Sequence, residues 1–248
     1  DIIASFDLVA LQEIRDSRAG APSFSVLLEE ISKRRLGMTA ITSESLGRTS
    51  YKERYAFVYD RTRLALVGRP HTYDDDRDGD GMNRADDSRG GDEFEREPFA
   101  AYFRVRGGNF DFAVIDVHVR PDDAANEIPR LGGVIDSVRG WFGEPDIVLL
   151  GDLNADGKYY PEEELQSVFP GDAYQSIIPN GYDTTVASSD ATYDRIIVTR
   201  ASLEDFTGRF GVLRFEADPL SASRVGGPAE LSDHYPVWAE FYVNHDSE

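Results

Sequence analysis

The sequence predicts a four-layer α/β sandwich, two β-sheets packed face to face with helices on their outer surfaces. Stretches with strand character outnumber stretches with helical periodicity, and many neighbouring strands are separated only by tight turns. The chain's 248 residues, 40% of them hydrophobic, are enough for one sizeable core. A sheet that is apolar on one face must bury that face, and a second sheet or a layer of helices does so.

The elements follow in chain order. Residues 1–6 read as the end of a helix, and residues 7–12 (Asp-Leu-Val-Ala-Leu-Gln) as a short buried strand. Phe24, Leu27, Leu28 and Ile31 recur at helical spacing and predict a helix over 22–36. Residues 54–59 and 64–67 predict strands around a turn at 60–62. Residues 99–105 and 110–118 predict a hairpin joined by Gly107-Gly108. A helix is predicted over 122–141, weakened by Pro129 and by Gly132-Gly133. Residues 145–150 are a clear buried strand, and 193–198 and 235–243 close the chain as strands. No internal repeat or linker divides it, so a single domain is expected over 1–248. Residues 74–92, rich in Asp and Gly, stand out as an insertion.

Composition narrows the chemistry. No apolar run reaches 18 residues, so no membrane-spanning helix is expected. The chain has no cysteine, which excludes disulfides and thiolate chemistry. A metal would have to be held by carboxylates, amides, carbonyl oxygens or the four histidines, His71, His118, His234 and His245. The formal charge of -20 opposes DNA binding at low salt. Lysine occurs only at Lys33, Lys52 and Lys158. Acidity with so little lysine admits two readings: a halophilic protein made for a salty medium, where screening shortens self-repulsion, or simply a soluble acidic surface.

Polar residues recur where the predicted strands end. Glu13 follows Val9-Ala10-Leu11, and Asp152 and Asn154 follow the run 147–151. His118 ends one strand, Asp194 begins another, and Asp233 and His234 precede a third. Strand ends on a rigid sheet are good places for a site. The i, i+2 spacing points Asp152 and Asn154 to one side of an extended chain. Converging carboxylates without cysteine suit a hard cation, Mg²⁺ or Mn²⁺. Each signal also has an ordinary reading. Asp-Leu-Asn and Ser-Asp-His are turn or cap sequences, His118 an interior histidine, and Glu13 an edge carboxylate. Their occurrence together, in this order, outweighs those readings.

Leu11-Gln12-Glu13, Gly151-Asp152-Leu153-Asn154, Tyr193-Asp194-Arg195 and Ser232-Asp233-His234 resemble the ordered motifs of the endonuclease/exonuclease/phosphatase superfamily. The stretches 12–17, 46–55 and 154–156, and Arg96-Glu97-Pro98, narrow the resemblance to the deoxyribonuclease I branch, and it covers almost the whole chain. The resemblance implies two mixed sheets in the sandwich. It also implies a monomeric, secreted enzyme that hydrolyses DNA, mainly double-stranded, with little sequence preference. Glu13, Asp152 and Asp233 would bind Mg²⁺ or Mn²⁺, and Asn154 with the metal would neutralise charge on the phosphate. His234 would pair with Asp194 and His118 with Glu53, one histidine serving as base and the other as acid, in an order left open. Arg15, Tyr51 and Arg96 would contact DNA, the arginine and tyrosine in the minor groove, where arginine reads groove width more than sequence. On their residues alone, Arg15 is a surface arginine and Tyr51 a half-buried aromatic.

Two rivals remain. Another superfamily enzyme, such as a sphingomyelinase, an inositol-phosphate phosphatase or an abasic-site endonuclease, is opposed by Arg15, Tyr51 and the Glu53–His118 pairing. A catalytically dead relative that only binds DNA or protein is opposed by the intact His118, Glu53, Asp194 and His234.

The chain also departs from the branch. Vertebrate members carry two disulfides; Gly157 and Ala191 stand at one pair, and the acidic insertion replaces the loop of the other. Within it, Asp76, Asp78 and Asp80, Gly81, and Asp87 eleven positions after Asp76 match a twelve-residue Ca²⁺ loop. The other reading of this stretch is an acidic loop without fixed structure. The resemblance implies two further structural Ca²⁺ sites. One is at Asp92, Phe94 and Glu97, the other at Asp183, Thr185 and Ser189, with Ala187 where a threonine is usual. Members of the branch place a central strand and a helix before the metal-binding glutamate. With that residue at Glu13, a further segment of roughly 25–35 residues is expected upstream, enough for one strand, one helix and their loops.

Overall fold

The computed structural model describes residues 1–15, 24–48, 50–75, 93–215 and 231–246. Strands β1 (Leu8–Ile14), β2 (Met38–Thr42) and β3 (Arg54–Asp60) form an antiparallel sheet in the order β1-β3-β2. The largest sheet holds β4 (Leu64–Thr72), β5 (Phe99–Val105), β6 (Asp111–Asp116), β7 (Ile147–Asp152), β8 (Tyr174–Ser176) and β9 (Asp194–Thr199). Its order is β4-β5-β6-β7-β9-β8, with β6 and β7 parallel and the other neighbours antiparallel. Strands β10 (Phe206–Val212) and β11 (Val237–Phe241) pair antiparallel as a third, small sheet.

Alternation along each strand decides what faces what. Tyr55, Phe57 and Tyr59 of β3 point at the large sheet and pack on Leu64, Phe99 and Phe103, with Phe57 stacked on Phe99 at 5.4 Å between centroids. Val58 points the other way, toward Ile31, Leu28 and Phe24 of helix α1 (Phe24–Arg34). Phe206, Phe210, Val237 and Phe241 of the small sheet pack on Val148, Ile196 and Val198, on the face of the large sheet that β3 also covers. Its opposite face carries Ala113, Ile115, Ile147 and Leu149, which are buried under a helix at residues 131–142. Burying each such Leu, Ile or Phe contributes about 1.5–3 kcal/mol. Helix, sheet, sheet, helix is the layering expected. The layer opposite the large sheet is divided, among the described residues, into two antiparallel pieces.

The predicted helix over 122–141 is broken as its sequence warns. A short α2 (Ala124–Glu127) is followed by a 3₁₀ turn at Ile128–Arg130 that accommodates Pro129, and α3 (Leu131–Phe142) then runs through Gly132 and Gly133. There the burial of Leu131, Val134, Ile135 and Val138 outweighs the roughly 1 kcal/mol that each glycine costs. Strand β4 runs five residues past its predicted end because a bulge between Val67 and His71 absorbs Gly68. Strands β2, β8 and β10 and the short helices α4 (Leu165–Val168) and α5 (Arg200–Asp205) were not expected. Among the described residues no helix is long and apolar enough to cross a membrane. Asp76, Asp78, Asp80, Asp87 and Asp92, expected to bind Ca²⁺, lie outside the described residues.

Candidate active site

The site begins with a distortion. Leu11 pairs with Ala56 and Ile14 with Arg54, so Gln12 and Glu13 share one opposing residue in a β-bulge, and Glu13 takes a φ of 55°. Asn154, just past β7, has a φ of 49°. Among the described residues these two are the only non-glycine positions in the left-handed region, which costs on the order of 1–2 kcal/mol each. Both are residues that the sequence marks for metal or phosphate, and strained backbone of this kind gathers at functional sites.

Gln12 ties the strand ends together across the sandwich. Its Nε2 donates to Asp116 Oδ1 (2.7 Å) and to the Val117 carbonyl (2.8 Å), and its Oε1 accepts from Asp152 N at 3.2 Å. Gly151 makes this approach feasible: a Cβ there would stand 2.0 Å from the Val117 carbonyl oxygen and 2.3 Å from Gln12 Nε2. Beyond it, Asn154 N donates to Asp152 Oδ1 (2.8 Å), and Asn154 Nδ2 donates to the Val119 carbonyl (3.0 Å).

Two acid–histidine pairs converge on Asp152. His118 Nδ1 lies 3.0 Å from Glu53 Oε2, and His234 Nδ1 lies 2.7 Å from Asp194 Oδ2. A carboxylate partner at Nδ1 accepts its proton and leaves Nε2 free. The two Nε2 atoms face one oxygen, Asp152 Oδ2, at 3.7 and 3.9 Å. The first pair is closely braced. His118 N donates to the Tyr55 hydroxyl (2.9 Å), which donates to the Arg96 carbonyl (3.4 Å), and Arg96 Nε donates to the His118 carbonyl (3.2 Å). The second rests on Thr184, whose Oγ1 accepts from Tyr193 N and Asp194 N, both at 3.1 Å.

The electrostatics follow from this packing. Burial disfavours charge on His234, but the hydrogen bond it donates to Asp194 and the charges of Asp194, Asp152 and Asp233 outweigh it and raise its pKa to about 9. Burial, and then the charge of Asp194, raise Asp152 to about 6 against the two histidines. Burial also works against Glu53, yet the hydrogen bond to His118 and the charge of Arg96 hold it below the ordinary carboxylate range. Asp116 is fully buried, which pushes its pKa well up.

Most of the residues singled out in the sequence therefore meet here, and some do not. Arg15 and Tyr51 are both exposed and stack on each other, the guanidinium 4.0 Å from the ring centroid. Arg96, the third residue expected to contact DNA, is packed beside the first pair. It is 7% exposed, held inward by the His118 carbonyl and by Glu53 Oε2 at 3.5 Å. Glu13 is half exposed, 3.6 Å from Arg15, and Asp233 sits on an exposed turn. Among the described residues no three His, Asp or Glu side chains already converge as a metal cluster, so Glu13, Asp152 and Asp233 are not gathered into one ligand set. The oxygen-only donors still suit a hard cation, and Glu13 follows directly on Gln12, which touches Asp152. Phe94 and Glu97 are buried, and Asp183 and Thr185 are hydrogen-bonded to each other.

Sequence reasoning missed four supporting residues: Gln12, Tyr55, Thr184 and Glu127. Glu127 is fully buried and accepts from Glu95 N (2.9 Å) and Arg120 N (3.2 Å), so it joins the segment of Arg96 to the segment after His118. Gln12 was within reach of inspection, being adjacent to Glu13. The others act through contacts that no local pattern reveals.

No family model matches the chain. It is similar to Deoxyribonuclease-1 of Oryctolagus cuniculus, 32% identical over 249 residues that span 95% of this chain and 81% of that protein. It is 33% identical to Deoxyribonuclease-1-like 2 of Mus musculus over 250 residues, 97% of this chain and 82% of the relative. Among solved structures, an endonuclease/exonuclease/phosphatase from Bacteroides vulgatus superposes with a TM-score of 0.61 at 16% identity, covering 98% of this chain and 88% of that one. The human Nocturnin catalytic domain superposes at 0.54 and 14% identity, over 85% and 73%. At these identities the structural likeness speaks for the fold alone.

Proposed function

The chain belongs to the deoxyribonuclease I family, and on that premise we propose that it is a divalent-metal-dependent endonuclease that hydrolyses DNA phosphodiesters with little sequence specificity. The observation that carries this reading is the pair of acid-backed imidazole edges facing Asp152 Oδ2 from 3.7 and 3.9 Å. Hydrolysis of a phosphodiester needs a proton taken from water, a proton given to the leaving oxygen, and charge neutralised between them. Glu53 and Asp194 hold the Nδ1 protons, so each Nε2 can exchange a proton with an oxygen bound in the pocket. Asn154 has used one Nδ2 hydrogen on Val119 and retains the second for a phosphate oxygen. Mg²⁺ or Mn²⁺ held by Glu13 and Asp152 would supply Lewis acidity at the phosphate.

Arg15 and Tyr51 stack on each other as an exposed, cationic edge beside Glu13. Such an edge fits the minor groove of double-stranded DNA, where width is read more than base identity. The net charge of -20 works against this binding, which is one reason a cation is needed at the interface. On the family resemblance we propose that the enzyme is secreted and monomeric.

The test is plasmid nicking by the purified chain with Mg²⁺, with Mn²⁺ and with chelator, beside a panel of RNA, sphingomyelin, inositol phosphates and abasic DNA. Relaxed circles that form only with metal support the proposal. Faster turnover of a phosphomonoester or lipid substrate than of intact plasmid overturns it.

A further inference from the structure

The family resemblance implies a Ca²⁺ ion at Asp183, Thr185 and Ser189, and the residues present do not fit one. Both carboxylate oxygens of Asp183 are engaged. Its Oδ1 accepts from Thr185 N (3.1 Å), Thr185 Oγ1 (3.1 Å) and Ala191 N (3.4 Å), and its Oδ2 accepts from Arg214 at 2.8 Å. The same Arg214 nitrogen donates to the Asp183 carbonyl at 3.1 Å. The guanidinium also lies over the Tyr235 ring, 4.4 Å from its centroid. Thr185 Oγ1 is turned inward, donating to Asp183 and 3.4 Å from the Ser189 carbonyl.

Ca²⁺ asks for six to eight oxygens at about 2.3–2.6 Å. A fixed guanidinium on the same carboxylate repels such an ion and occupies one side of its shell. The side chain of Asp183 is 12% exposed, so leaving its charge without a cation would be costly. Burial raises its pKa, but the donors from Thr185, Arg214 and Ala191 hold it below the ordinary value.

We propose that Arg214 is the built-in cation of the 183–191 loop, standing where the family resemblance implies calcium, so that this loop is ordered without metal. A flat guanidinium lying on the Tyr235 ring while one of its nitrogens reaches both the carboxylate and the carbonyl of Asp183 is a geometry that suits arginine better than lysine. The loop matters because it seats the second catalytic pair. Thr184 holds the backbone of Asp194, its carbonyl accepts from Tyr235 N (2.7 Å), Thr185 bridges His234, and Val186 N donates to the Asp233 carbonyl (2.8 Å). Arg214 thus grips this loop at Asp183 and the segment of His234 at Tyr235.

The proposal stands on this geometry and not on the hydrolytic reading, so its first two readouts need no activity. Ca²⁺ bound per chain is counted by equilibrium dialysis for the wild type and Asp183→Asn, and melting is followed in EDTA for the wild type, Arg214→Gln and Arg214→Lys. Equal Ca²⁺ counts are expected for wild type and Asp183→Asn, because ions bound elsewhere cancel in the difference. Arg214→Gln is expected to lower the Tm in EDTA by about 2–4 °C, the shift that about 1 kcal/mol gives a chain of this size, with Arg214→Lys in between. It should also lower the Mg²⁺-dependent nicking rate. One Ca²⁺ fewer on Asp183→Asn, or an unchanged EDTA melting point for Arg214→Gln, overturns the proposal. Should Arg214→Gln not fold, the Ca²⁺ count on Asp183→Asn still decides.

Discussion

The Glu53–His118 and Asp194–His234 pairs have the same chemistry in opposite surroundings. In the first, both residues are buried, 4% and 8% exposed, and Tyr55 and Arg96 fix the backbone on either side of the ring. In the second, the His234 side chain is 27% exposed, and the strand end that carries Asp194 leans on a loop through Thr184. The rigid pair is defined by where it is held. The open pair is defined by the field it sits in, three carboxylates that keep its imidazole charged to about pH 9. Two like devices therefore answer differently to perturbation, and the contrast can be tested.

The largest effect expected is loss of either ring. His118→Ala and His234→Ala should each lower the nicking rate by about 10²–10⁴-fold, the range for one acid–base group, with an unchanged circular dichroism spectrum. Near-normal nicking in both variants would refute the mechanism. Sharper is the response of the partners. In Asp194→Asn, His234 loses its chief source of raised pKa, so the alkaline limb of the pH–rate profile should move to lower pH. Glu53→Gln should lower the rate with a smaller displacement of that limb. Equal displacement in the two variants would erase the distinction between field and frame.

Tyr55→Phe probes the frame alone. It leaves His118 N without its acceptor inside the protein, which costs about 1–3 kcal/mol. A fall in Tm is expected, measured by calorimetry, with a modest loss of rate. The smallest effect is a pH slope. Burial raises Glu127 from 4.5 to about 7 against the donors from Glu95 and Arg120. The folded chain keeps that proton to higher pH than the unfolded one, so this contribution is complete below about pH 4.5 and is lost as pH rises to about 7. Glu127→Gln should flatten the decline of Tm across that window, and an unaltered slope would show that the group does not titrate there.

Much of this could be read before any coordinates. The uniform apolar run at β7 and the glycines between β5 and β6 specify their strands, and strand ends point to Glu13, His118, Asp152, Asp194 and His234. Strands β8 and β10 could not be read. The first is three residues long and the second is interrupted by Gly208 and Gly211, so both depend on neighbours already in place. The surroundings of Arg96 could not be read for a similar reason. Arginine is an exposed residue by default, and here its environment is set by His118, 22 positions away in sequence, and by a tyrosine 41 positions away. The tie from Gln12 to Asp152 spans 140 positions and the bulge at Glu13 has no residue signature, so neither is written in local pattern.

The left-handed backbone at Glu13 and Asn154 has a consequence for anyone who breeds this protein. Glycine adopts that conformation freely, so replacing either residue with glycine relieves about 1 kcal/mol of strain. At position 154 the lost hydrogen bond to Val119 offsets the gain. At position 13 the carboxylate is half exposed and 3.6 Å from its arginine, so little opposes the change. A library screened only for heat tolerance or soluble yield would drift to glycine at 13 first, and its winners would be sturdier proteins that have lost the carboxylate proposed to hold the metal. Directed evolution here has to select for turnover in every round.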